Sequence, residues 1–194
     1  MKLIEFNPDK ITPEEIDDYY HKTLKLIDFA FDEHLNPDYN NDFLGLTPSE
    51  IDAKKERMLN ELSIESAFLL LAYIESLFRT DFILRLESGR KGAADGLTKT
   101  FKSIYEPNKK PYMYSIVDDI WANWKLFAHS KEMRDILNNL PQYFDFRNWV
   151  AHGRYWKFKE SNYVRKYNYI QIKILLDNIL VVFGKRLKYK NFGH

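Results

Sequence analysis

The sequence predicts an all-α protein, an up-and-down bundle of five to six helices. Three observations predict it. Glycine and proline are scarce, seven each in 194 residues, which leaves few turn formers for a fold of many short strands. Two Thr-Pro-x-Glu signals each open a long stretch with apolar residues at helical spacing. The segment "ESAFLLLAYIESLFRTDFIL" is apolar on nearly every face at its centre, as the buried central helix of a bundle must be.

The elements follow in order. Thr12 caps a first helix, with Pro13 at its first position and Glu15 reaching back. Ile16, Tyr19, Tyr20, Leu24, Ile27 and Phe31 recur at helical spacing, and Asn36-Pro37 stops the helix near Leu35. After a loop, Thr47-Pro48-Ser49-Glu50 repeats the cap, and no glycine or proline appears before Gly89. A helix over 48–88 is about 60 Å long at 1.5 Å per residue. That exceeds the width of a small domain, so a bend or break is expected near Ser63. "ESGRKGAADGLTK" lacks the G-x-x-x-x-G-K-[ST] phosphate-loop pattern and reads as a loop before a short helix. "YEPNKKPYMY" is a further loop. Helices are expected over about 112–127 and from Ser130 to Asn139, and Pro141 is expected to open a new one. Tyr155 to Tyr169 reads as a loop or short β-hairpin. A last helix carries Ile172, Leu175, Leu176, Ile179 and Leu180 as its apolar stripe. Residues 1–47 are thus an N-terminal extension with one helix packing on the bundle, and 48–194 form the main helical domain.

Bulk properties narrow the function classes. There is no cysteine, which excludes disulfides, thiolate metal sites and a cysteine nucleophile. The start "MKLIEFNPDK" lacks the apolar core of a secretory signal. The longest apolar run, Ala67–Ile74, is far short of a membrane span. A soluble, cytoplasmic protein without a membrane partner is the expectation. The near-neutral net charge hides an asymmetry: from Arg154 onward ten Lys/Arg face two acids, Glu160 and Asp177. Such a basic stretch is usually a solvated face, and beside a site it can hold phosphates.

A screen for chemistry leaves one constellation. The five histidines form no H-E-x-x-H or other i,i+4 pair, so no metal is expected. Adjacent carboxylates such as Asp17-Asp18 and Asp118-Asp119 point about 100° apart on a helix and make no dyad. No G-x-S-x-G elbow or dinucleotide fingerprint is present, so no cofactor is expected. What remains is Arg147, Asn148 and His152 in "FRNWVAHGRYW". On a helix Asn148 and His152 share a face, and the long Arg147 side chain can swing towards it. The trio offers a fixed cation that binds phosphate in a fork, an amide, and an imidazole, a group that titrates near neutral pH. Phosphodiester cleavage needs charge stabilisation and proton movement, which suit Arg147 and His152 respectively. Gly153 leaves room beside the histidine. Two plainer readings stand beside this one. His152 can be a satisfied structural residue, and Arg147 can pair with a buried acid such as Glu75, which is itself i,i+4 from Arg79.

"RNWVAHG" resembles the R-N-x-x-x-H form of the motif of HEPN domains, and "LAYIESLFR" resembles the buried helix of such domains, which often carries a glutamate. The resemblance implies a HEPN-like bundle that forms a homodimer through its motif helices. It implies a metal-independent endoribonuclease, with RNA as substrate, that acts as a toxin or antiviral defence effector. Catalytic Arg147, Asn148 and His152 of both copies would line one composite cleft, with Glu75 in support. The RNA 2′-OH would attack the adjacent phosphate and leave a 2′,3′-cyclic phosphate and a 5′-OH. Arg154 and Lys157, with Lys159, Arg165 and Lys166, would hold backbone phosphates, and Tyr155 or Trp156 would stack on a base. An antitoxin protein is a further implied partner. Members paired with a nucleotidyltransferase antitoxin commonly carry a tyrosine two residues after the histidine. Here that place is Arg154, and Tyr155 comes one later. Other members have lost catalysis, so the alternative is a non-catalytic nucleotide-binding or protein-interaction module.

Overall fold

The computed structural model describes residues 3, 10–32, 43–88 and 95–188. It is all-helical, with no strand among the described residues. Helix α1 spans Pro13–Asp32 and α2 spans Pro48–Glu87. Both start as their sequences dictate. The Glu15 N–H donates to Thr12 Oγ1 at 3.2 Å, and the Glu15 carboxylate accepts the Thr12 N–H at 2.7 Å. Thr47 and Glu50 make the same reciprocal pair. The expected end of the first helix near Leu35 lies outside the described residues, as do 89–94 of the glycine-containing loop.

Helix α2 is continuous for 40 residues, with no break near Ser63, where a bend or break was expected. A single core would not cover so long a helix. Instead α1 packs along α2, and Ile27, Phe31, Ile51 and Leu62 form a second, smaller core under the first turns of α2. Lys55 of α2 meets Asp28 of α1 at 3.0 Å, and Lys10, just before α1, sits over the Tyr73 ring. The two helices are therefore antiparallel. Ser63 works as an acceptor: its Oγ takes the Tyr169 N–H at 3.0 Å, at the start of the last helix.

After α2 come α3 (Gly96–Ile104), a 3-10 turn (Pro111–Met113), a π-helical turn (Ile116–Trp121) and α4 (Ala122–Leu126). The single helix expected over 112–127 is thus divided. Ser115 restarts the helix by accepting the Asp118 N–H, and the wider π turn brings Ile116, Ile120 and Trp121 together into the core. Trp121 stands edge-on to Phe78 of α2 and to Phe144. Helix α5 runs unbroken over Lys131–Ala151 with Pro141 inside it, where a new helix was expected. Proline removes only the bond to the Leu137 carbonyl. Met133, Leu137, Leu140 and Phe144 keep both halves on one buried stripe. Residues 152–168 are a loop with one short helix, α6 (Tyr163–Lys166), rather than a hairpin. Helix α7 spans Tyr169–Phe183 and buries Ile172, Leu175, Leu176 and Ile179 as its stripe predicts.

The bundle centres on α2, whose Leu70, Leu71, Ile74, Phe78 and Phe82 are fully enclosed. One polar hub lies in this core. Arg85 is 3% exposed and every guanidinium nitrogen is occupied. Its Nε donates to Asp81 at 2.8 Å, one terminal nitrogen to Asp95 and Thr98, and the other to the Arg186 carbonyl at 2.7 Å. Asp81 also accepts the Lys188 N–H. The hub therefore joins α2, the start of α3 and the segment after α7. It also shows that α7 runs parallel to α2, from Ser63 towards Arg85.

Burial pushes the Asp81 carboxyl up to about 6, against the pull of Arg85. Partial burial also acts upward on Asp95, but the Thr98 N–H and hydroxyl and the Arg85 charge outweigh it and hold Asp95 at about 2. The signs are opposite. A raised Asp81 means the folded state keeps a proton that the unfolded chain releases, so stability falls as pH rises from about 4 to about 6. A depressed Asp95 stabilises the fold above about pH 4, and that contribution is lost as pH falls towards 2.

Two outcomes follow from the hub. Arg85→Met strands the Asp81 charge in the core and lowers stability by about 3–5 kcal/mol in urea denaturation at pH 7. Asp95→Asn destabilises at pH 7, and its difference from wild type shrinks as the unfolding series is taken from pH 5 to pH 2.

Candidate functional site

Helix α5 carries the Arg-Asn-x-x-x-His motif to its last turn. Ser130 caps its start by accepting the Met133 N–H at 3.1 Å. Its end is set by backbone geometry. His152 is the C-cap, and its N–H bonds the Asn148 carbonyl at 3.0 Å. The Gly153 N–H returns to the Val150 carbonyl at 3.0 Å and the Arg154 N–H to the Trp149 carbonyl at 3.1 Å. That pair of bonds is a Schellman closure, with glycine in the left-handed position it needs. Gly153 has φ +74°, and a Cβ there would meet nothing within 4 Å. Its value is therefore the backbone turn, not the room expected beside the histidine.

The closure projects His152 to the surface. Its imidazole is exposed, with the Trp156 ring 6.0 Å away and no hydrogen bond to any described residue. Arg147 lies five residues earlier, about 7.5 Å of rise along the axis, and turns towards α2. Its guanidinium sits over the Phe68 ring at 5.5 Å. One terminal nitrogen is 3.4 Å from Glu75 Oε2, and the other donates to Asn148 Oδ1 at 3.2 Å. The Arg147 Nε is buried and has no partner. Glu75 Oε1 accepts from Arg79 Nε at 2.7 Å. The pairing of Arg147 with Glu75 raised by the sequence is therefore present, and Asn148 is exposed beside it. A cleft of about 420 Å³ opens here between α2, α5 and the π turn, lined by Glu75, Arg79, Ser115, Asp145, Arg147 and Asn148 among others. His152 stands outside that lining, one helical turn beyond Asn148.

Arg154 forms a fork with Glu61 of α2, at 3.0 and 2.5 Å. The bond to Glu61 holds its pKa above the ordinary value. It also anchors a non-glycine residue at φ +57°. Of the other basic residues after the motif, Lys159 pairs with Asp145 at 2.5 Å and Lys166 with Glu160 at 2.9 Å. Lys157 and Arg165 are exposed without an acid partner among the described residues. Tyr155 is 82% exposed and stands edge-on to Trp156 at 4.5 Å. Trp149 is core: it is buried, donates its indole N–H to the Trp156 carbonyl at 2.7 Å, and packs with Phe146, Phe158 and Tyr163. These rings fold the basic loop back over the end of α5.

Sequence reasoning missed Glu61 and treated Arg79 only as a helix partner of Glu75. The spacing of Glu61, Phe68 and Glu75, seven residues apart on α2, is the signal that places all three on one stripe. Among the described residues no group of three or more acidic or histidine side chains is placed to hold a metal ion. No helix among them is long and apolar enough to cross a membrane. No protein-family model, curated protein or solved structure compared with the chain matches it.

Since the left-handed backbone alone calls for glycine at 153, Gly153→Ala destabilises by about 1–2 kcal/mol, and Gly153→Asn by less, as thermal or chemical unfolding reads directly.

Proposed function

We propose that the chain is a metal-independent endoribonuclease of HEPN type. The observation that carries this reading is the pairing, at one helix end, of a half-exposed Arg147 at a cleft with an exposed, unpartnered His152. Arg147 supplies a fixed positive charge for the non-bridging phosphoryl oxygens. His152 supplies an imidazole for proton transfer. Asn148 orients the Arg147 guanidinium through its Oδ1.

In the reaction, the 2′-oxygen bonds to phosphorus as its proton passes to a neutral imidazole. The bond from phosphorus to the 5′-oxygen breaks, and that oxygen takes a proton from an imidazolium. The products are a 2′,3′-cyclic phosphate and a 5′-OH. The motif supplies one exposed histidine per chain, His152, and so one proton station, and a second copy provides the other. This agrees with the composite, homodimeric site that the HEPN resemblance implies. The exposed Tyr155, with Lys157 beside it, is suited to a single-stranded substrate. A toxin or defence role, with an antitoxin partner, belongs to the same reading.

One observation favours the alternative of a non-catalytic binding module: Arg147 and Arg154 are each held by an acid of α2. RNA cleavage separates the two. Wild type cuts RNA with EDTA present, and His152→Ala and a substrate with 2′-deoxy at the cleaved position abolish cutting. Cleavage that requires added metal, or that persists in His152→Ala, contradicts the nuclease reading. No cleavage with retained RNA binding selects the module.

A further inference from the structure

The Glu75 carboxylate lies between two guanidinium groups and gives one oxygen to each. Arg79 takes Oε1 at 2.7 Å and Arg147 approaches Oε2 at 3.4 Å. Two arginines around one set of oxygens is the arrangement that holds a phosphodiester. The fit to the carboxylate is poor on the Arg147 side. The distance exceeds the usual N–H···O range, there is one contact where a fork is possible, and the buried Nε is empty. The same protein shows what a purely structural arginine looks like. Arg85 is 3% exposed with every nitrogen occupied, whereas Arg79 and Arg147 are 25% and 28% exposed and open onto the cleft.

Arg79 is also held in place from behind. One terminal nitrogen donates to the Tyr114 carbonyl at 2.9 Å, and the other has no bond to a described residue. Its plane is thus fixed while a donor stays open, which lowers the ordering cost of binding an anion. The second lining acid, Asp145, is already covered by Lys159. Two arginines and Lys159 therefore face Glu75 and Asp145, and displacing Glu75 from between the arginines leaves both donors for one incoming group.

We propose that Arg79 and Arg147 form a phosphate subsite for single-stranded RNA, and that Glu75 is an internal counter-anion which the substrate phosphate displaces. The proposal rests on the nuclease reading for its substrate and adds Arg79 as a second phosphate ligand. Glu75 has two effects in the free protein: it keeps the arginines together and it competes with the ligand.

The test uses a labelled single-stranded 2′-deoxy oligonucleotide, which cannot be cut by 2′-OH attack, titrated by fluorescence anisotropy over a salt series. Glu75→Gln keeps the side-chain size, removes the competing charge, and tightens binding about 3-fold or more. Arg79→Ala weakens binding and makes the slope of log K against log salt shallower by about 0.7, the loss of one single-strand phosphate contact. Thermal melting controls for folding. Unchanged or weaker binding by Glu75→Gln overturns the proposal, as does a Glu75→Gln chain that does not fold or a wild-type salt slope in Arg79→Ala. Should Arg79→Ala not fold, Glu75→Gln decides alone. Failure of the two readings is distinguishable. The binding pattern without any RNA cleavage keeps the subsite and removes the nuclease. Cleavage dependent on His152 with wild-type binding in both variants keeps the nuclease and removes the subsite.

Discussion

The antiparallel packing of α5 on α2 is the constraint on which the site depends. It is fastened by two arginine–glutamate contacts, Arg147 to Glu75 and Arg154 to Glu61. The acids are fourteen residues apart on α2, about 21 Å of helix, and the arginines bracket the last turn of α5. Between them the Schellman closure turns the chain and leaves His152 outside. If either helix shifted by one turn, the arginines would face different residues. The apolar stripes of both helices lock the register, because moving them exposes Phe144, Trp149 or Phe78. The polar tie adds direction rather than much energy, since both contacts are partly solvated.

The charge asymmetry of the chain finds its physical account in the same packing. Among the described residues, the basic last part is partly paired with acids. Arg154, Lys159 and Lys173 reach acids of the preceding part, Glu61, Asp145 and Asp17. The acidic and basic parts of the sequence are thus partly neutralised across helices, while Lys157, Arg165, Lys185 and Lys188 are exposed with no acid partner for their side chains among the described residues.

What was legible in the sequence was local. The caps at Thr12 and Thr47 lie within three residues of their partners, and the stripe of α7 lies within two turns. Such features need no knowledge of the rest of the chain. The missed features are long-range. Ser63 does not break α2 because α1 supplies a second core for the overhanging turns. Pro141 does not start a helix because the same buried stripe runs on either side of it. The fork from Arg154 to Glu61 joins residues 93 apart, beyond what spacing can show. The motif itself was visible at Arg147, Asn148 and His152, but its second-helix partners Arg79 and Glu61 became visible only once α2 and α5 were side by side. Gly153 was legible as small, and only the backbone angle reveals it as a turn residue.

The most direct test of the proposed chemistry is the end-group structure of RNA products, read by mass spectrometry after incubation of the wild-type chain with a defined single-stranded RNA in EDTA. The account predicts 5′ fragments ending in a 2′,3′-cyclic phosphate and 3′ fragments beginning with a 5′-OH. Fragments with a 3′-OH and a 5′-phosphate would contradict it, because they require an external water to attack phosphorus in place of the 2′-oxygen.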